Sequence, residues 1–252
     1  MKSDFEKHQE KQFTEAEQAL LAKAKRLIQS LPERAKTRQQ VAQTIIPEKQ
    51  IITVQESKTM GAVTYMKDSD KTLLLKGDVF VQGNIDGNWR DELLKGMQWE
   101  GIVYDVMIDG NLIVAGDIID NNYLMLQVMG NVVCDYFLSE NGHQYIKGDL
   151  IATQAVYGEY NDGSLKLGGE IDTPFIVSKE HDMPKQSRGE FIHIEYGEIA
   201  DEYDGEIGWG WTYFENSSSL FDPKVLNDEG EFVEQKFINM LKNGENPFVE
   251  EN

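Results

Sequence analysis

Gly110-Asn111-Leu112-Ile113-Val114-Ala115-Gly116-Asp117-Ile118 is the stretch that decides the fold. It contains one short phrase twice: a glycine, then Asn or Asp, then an aliphatic residue. The phrase also stands at Gly77-Asp78-Val79, Gly83-Asn84-Ile85, Gly130-Asn131-Val132 and Gly148-Asp149-Leu150, and with Glu at Gly169-Glu170-Ile171. Two copies are followed by another after six residues, and later copies lie 14, 18 and 21 residues apart. Recurrence at such intervals marks a solenoid, whose single coil cannot bury its own inner face. Glycine permits a corner with positive φ, Asp or Asn bonds the backbone of the turn, and the aliphatic residue opens the next inward-facing strand. The expected fold is mainly β: a parallel β-solenoid, right-handed because the coil lengths are irregular, with helical elements at both ends. Val79, Val81, Leu112, Val114, Val132, Leu150, Leu165 and Leu167 are its expected inward stack.

Working outward, residues 1–50 read as a helical segment, 51–188 as the solenoid, and 189–252 as an acidic, aromatic segment with a C-terminal helix packed on the solenoid. Thr14-Glu15-Ala16-Glu17 is a capping box. Leu20, Leu21, Ala24, Leu27, Ile28 and Leu31 follow at helical spacing, and Pro32 is expected to break that helix. The stripe is expected to cap the solenoid's open end or pack beside it, with a partner-binding helix as the alternative. Ile51–Val54 and Val63–Tyr65 read as strands. Asp86–Met97 interrupts the repeat as a short helix or a loop, with Trp89 in it. Near the C-terminus, Asp222-Pro223 opens a capped turn. Val233, Phe237, Met240 and Leu241 make the last amphipathic helix, closed by Gly244 and Pro247.

Charge and cysteine usage narrow the function. The formal net charge of the 252-residue chain is −20. Residues 1–50 hold 10 Lys+Arg and 7 Asp+Glu, residues 51–188 hold 11 and 21, and residues 189–252 hold 3 and 16. Such a field repels nucleic acid and anionic membrane and favours a cationic partner. Cys134 stands alone, which fits a reducing compartment. No secretory signal and no membrane span are read in the sequence, so the expected location is the cytoplasm.

Chemistry is poorly represented. His8, His143, His181 and His193 are scattered, without a Cys pair or His-Glu-x-x-His, so no metal or cofactor is expected. No phosphate-binding loop and no Gly-x-Ser-x-Gly occur. A solenoid acyl-transfer or carbohydrate-active enzyme is the least favoured reading, and the chain is expected not to be an enzyme.

The run from Gly148 to Met183 resembles bacterial acidic β-solenoid proteins of the polymorphic-toxin immunity type. Gly158-Glu159-Tyr160-Asn161-Asp162-Gly163-Ser164-Leu165, Glu180-His181-Asp182 and the phrase Pro223–Glu231 carry the likeness, which covers about Leu74 to Gly244. The repeat also resembles bactofilin-type polymer-forming solenoids, from which the acidic, aromatic tail departs. The first resemblance implies an immunity protein of the type VI secretion kind. It would neutralise a cognate, basic effector toxin by blocking its active site; the acidic balance of the middle and C-terminal segments and the helical patterns at both ends add the expectation of a free monomer. The second implies a self-assembling structural protein. The partner-binding candidates are Glu198, Asp201, Glu202, Asp204 and Glu206, with Trp209 and Trp211 as aromatic anchors and Trp89 as an outlying one. From Glu190 to Glu206 there are seven acidic residues and no Lys or Arg.

Overall fold

The structure is a computed structural model. It describes residues 14–37, 41, 43–121, 123–159, 163–179, 181, 183–184, 187–195, 211–213 and 219–249. Two largely parallel sheets form a β-solenoid. In the first coil, β2 (Lys71–Lys76) turns into β3 (Val79–Val81). The second coil is β4 (Asp105–Asp109), β5 (Leu112–Val114) and β6 (Ile118–Ile119). The third is β7 (Met125–Val128) and the long β8 (Val132–Ser139), and the fourth is β9 (His143–Ile146) and β10 (Leu150–Glu159). The fifth is β11 (Ser164–Leu167), β12 (Ile171–Asp172) and β13 (Phe175–Lys179). Sheet I runs β2-β4-β7-β9-β11, and sheet II runs β3-β5-β8-β10-β13 and continues into β14 (Ile192–Glu195) and β15 (Trp211–Tyr213).

The corner phrases fall into two columns. Gly77, Gly110, Gly130, Gly148 and Gly169 stack in one, and Gly83 and Gly116 in the other. The six-residue step therefore separates two corners of one coil. Positive φ explains only the first member of each column, Gly77 at 105° and Gly83 at 126°. The later glycines are required by close stacking: a Cβ on Gly110 would lie 2.5 Å from the Gly77 carbonyl carbon. The Asp and Asn residues also act differently from the expectation. Five of them, Asp78, Asn84, Asn111, Asn131 and Asp149, accept the backbone N–H of the corner one coil further on, rather than bonding their own turn. Asp78 accepts from Asn111 N at 2.8 Å, Asn111 from Asn131 N at 2.8 Å, Asn131 from Asp149 N at 2.9 Å and Asp149 from Glu170 N at 3.0 Å. In the second column Asn84 accepts from Asp117 N at 2.9 Å.

Leu112, Val114, Val132, Leu150 and their expected companions are buried in one interior cluster, with Leu167 packed against it. The first coil is covered by the preceding chain. β1 (Lys49–Thr53) pairs antiparallel with β2, and Ile45 bridges Phe80 through bonds of 2.7 and 2.9 Å. The interruption after Ile85 is a helix, α3 (Gly87–Gly96). The Asp86 side chain caps it, accepting from Trp89 N, and its Leu93 and Leu94 join the interior cluster.

A second core lies outside sheet II. Tyr136, Ala155, Tyr157, Phe175, Val177, Ile192 and Ile194 face outward and are covered by helices. One is α1 (Glu15–Thr37), which lays Leu20, Leu21, Ala24, Leu27 and Leu31 on that face and so flanks the solenoid. It continues through Pro32, because this packing holds the backbone helical despite the lost hydrogen bond. The other is α4 (Glu234–Lys242), whose Phe237 meets Phe175 edge-on with centroids 5.5 Å apart. Lys242 in its last turn pairs with Asp117 at a solenoid corner.

Two strand expectations fail locally. Val54 opens a helix, α2 (Val54–Thr59), because Thr53 and Glu56 form a reciprocal capping box. Val63–Tyr65 is not a strand: β1 already occupies the edge of β2, and this segment crosses the outer face of sheet I instead.

Candidate partner-binding site

The end of sheet II is built by β13, β14 and β15, which run parallel. Its register sets Val177 beside Ile194 and Ile194 beside Thr212. Ile192 and Ile194 are buried under the helical layer, whereas His193 points the other way, so the period of two is kept to the last described coil. Chain positions 196–210 join β14 to β15, and the part of the base-free acidic run from Glu198 to Glu206 belongs to that connection, Glu190 and Glu195 preceding it. Glu198, Asp201, Glu202, Asp204, Glu206 and Trp209 lie outside the described residues. Trp211 is the first residue of β15, with His193 as its strand partner.

Trp89 is far from that end in the chain. It stands in the first turn of α3, half-buried against the interior cluster, with its indole N–H buried and without a hydrogen-bond partner. After α3, Trp99 and its neighbours Asp91, Leu94, Lys95, Gln98, Glu100 and Gly101 line an open depression of about 390 Å³.

Several carboxylates near the terminal coils are neutralised. Arg34 of α1 pairs with Asp172 at 2.6 Å, and Arg26 reaches Glu190 at 3.2 Å. Arg188 clamps the end of the corner ladder, binding Asp149 and, at 3.1 Å, Glu170. The Glu170 N–H and then Arg188 hold the Asp149 carboxyl below the usual carboxylate range. Arg26, Arg34 and Arg188 are thus engaged by local acids, while the run from Glu198 to Glu206 contains no base of its own.

The polar clusters among the described residues are structural in character. Ser178 Oγ and His193 Nε2 lie 2.6 Å apart, but the two residues are 1 % and 2 % exposed, too deep for a substrate. Burial holds His193 down to about 3, so its ring is neutral. His143 Nδ1 meets Ser164 Oγ at 3.0 Å, with Tyr65 packed on the imidazole and Lys166 against Tyr65. Burial and then Lys166 lower the His143 pKa. Asp120 is buried and accepts the Gly142 and Glu140 N–H groups at 2.6 and 3.1 Å, closing a turn. Burial raises its pKa. Among the described residues no group of three or more His, Cys, Asp or Glu side chains is placed to hold a metal ion. No helix there is long and apolar enough to cross a membrane.

The polar contacts of Tyr65 and His143 escaped the sequence reading, since they join residues far apart in the chain across sheet I. Comparison with protein-family models, with curated proteins and with solved structures finds no match to this chain.

Proposed function

We propose that this chain is a non-catalytic binding protein of the immunity type, which neutralises a cognate basic effector toxin by covering its active site. One observation carries the reading: a run of acidic residues without a base, beside Trp209 and Trp211, joins two paired strands at the end of a rigid scaffold. Fixed ends lower the entropy cost of docking such a segment. Acidic side chains steer a cationic partner, and tryptophans supply anchors with large contact area. The antiparallel β1 and the Ile45 bridge on the first coil support a free monomer over a bactofilin-like polymer, because they end the parallel register that coil-on-coil stacking would continue.

The test is co-expression with the products of the adjacent reading frames. The expected result is a stable complex with one of them and relief of its toxicity. Reversing Asp201, Glu202 and Asp204 together to lysine should slow association by about tenfold or more at low salt and leave thermal stability nearly unchanged. Wild-type association by the triple variant removes this segment from the interface. Absence of any complex or protection removes the immunity reading itself.

A further inference from the structure

Residues 54–66 cross the outer face of sheet I as a strap. α2 begins it, and Ala62 packs with Leu74 of β2 and Met107 of β4. The Val63 N–H donates to Gln127 Oε1 on β7 at 3.0 Å. Tyr65 then lies against His143 of β9, with ring centroids 4.4 Å apart, and Lys166 of β11 reaches its hydroxyl. The strap thus ties together coils that strand pairing alone would otherwise join.

Asp105 sits on the face that the strap covers, because strand residues alternate sides and Met107 points outward there. It is fully buried. Its Oδ2 accepts from Thr72 Oγ1 at 2.8 Å, and its Oδ1 is buried without a hydrogen-bond partner. Burial raises its pKa to about 6, while Thr72 and the Gln127 amide pull it down only in part. The titratable groups on the surrounding elements are Glu56 and Lys58 of α2, Tyr65, Lys67, Asp68 and Asp70 of the following loop, Lys71 and Lys76 of β2, Tyr104 and Asp109 around β4, and His143 of β9. None of these is among the causes of the shift.

We propose that residues 54–66 are a pH-sensitive cover on sheet I, seated while Asp105 is protonated and loosened when it ionises. An ionised carboxylate at that depth, with no cation beside it, needs water, and the strap is the layer that must move to admit it. Gln127 couples the two, since its side chain is near enough to Asp105 to lower the carboxyl pKa and its carbonyl holds Val63, while its Nε2 donates to His143 O at 3.4 Å. The sign follows from linkage. A raised carboxyl pKa favours the covered state at low pH, and that preference is lost as pH rises through about 6. Taking about 3.8 for the uncovered acid and about 6 for the covered one, strap opening rises about tenfold between pH 5 and pH 7. His143 acts in the opposite sense at the Tyr65 end, because acidification places a second cation beside Lys166.

The experiment is amide hydrogen exchange at Val63 in the full chain, corrected for the intrinsic pH dependence of exchange and carried out in a His143→Gln background. The expected result is about a tenfold loss of protection from pH 5 to pH 7, absent once Asp105→Asn is added. Should the Asp105→Asn protein fail to fold, a carboxyl carbon titration of Asp105 in the His143→Gln protein must share its midpoint with the Val63 protection. Flat protection across this range, an unchanged pH response in the Asp105→Asn protein, or separate midpoints would each overturn the proposal.

Discussion

Replacing Gly130 by alanine probes the corner column directly. The new Cβ would lie 2.5 Å from Asn111 Oδ1 and 2.7 Å from the Gly110 carbonyl oxygen, closer than side-chain carbons sit in folded proteins. One response lifts the third coil off the second, an overpacking cost of about 1–3 kcal/mol. The other turns Asn111 away and gives up its 2.8 Å bond to Asn131 N, worth about 0.5–1.5 kcal/mol. Alanine also stiffens the unfolded chain, which offsets about 0.4–1 kcal/mol. Because the Gly110 carbonyl remains in the way on either route, the net expectation after that offset is a loss of about 0.5–2 kcal/mol in urea denaturation followed by far-UV circular dichroism. Gly96→Ala is the matched control. It has no heavy atom within 4 Å of the new Cβ and sits at the end of α3, so it should be neutral or stabilising. Adding Asn111→Ala to Gly130→Ala should recover only the side-chain part of the cost, because the Gly110 carbonyl remains in place. A loss at Gly130 below about 0.5 kcal/mol would refute the claim that these glycines are demanded by stacking.

Leu112→Ala and Leu150→Ala each empty a fully buried interior position and should cost about 2–5 kcal/mol in the same assay; a cost below about 1 kcal/mol would mean a loosely packed interior. His193 gives a pH signature. Its ring is held down to about 3, so the stability due to the neutral ring is complete above about pH 6.5 and is lost as pH falls toward 3, by roughly 1.4 kcal/mol per unit. His193→Gln should lack that slope, and parallel stability curves for variant and wild type between about pH 6.5 and 4 would count against a buried neutral ring.

The solenoid was legible because one phrase encodes both a turn and the inward residue after it. The column assignment was not. Even with Asp86–Met97 read as an interruption, nothing in the sequence tells whether Gly110 continues from Gly83 or stacks on Gly77, and only the backbone contacts reveal that it sits over Gly77. The helix α2 carried a readable signal, Thr53-Val54-Gln55-Glu56, that the aliphatic run Ile51–Val54 obscured. The stripe from Leu20 to Leu31 announced a partner surface, yet nothing local distinguishes a coil end from the flank of sheet II, where α1 packs. Pro32 is the converse case, a strong local breaker overruled by that packing. The candidate site was legible only as composition. An acidic run states the sign of the charge it attracts, whereas the shape that selects one partner depends on atoms distant in sequence.

The corner ladder also has a direction. Asp78, Asn111, Asn131 and Asp149 each accept, through a side-chain oxygen, an N–H from the coil that follows, so a finished coil presents acceptors to chain that has not yet folded. Growth from the covered first coil toward the C-terminus therefore meets a side-chain acceptor at every corner, and the backbone N–H groups of Val79, Leu112, Val132 and Leu150 offer the same following coil donors at 2.8–3.0 Å. Coils interact mainly with their neighbours, so loop closure spans little more than one coil at a time. During synthesis the N-terminal coils emerge first, and the order in which the chain leaves the ribosome matches the order in which the ladder can be extended.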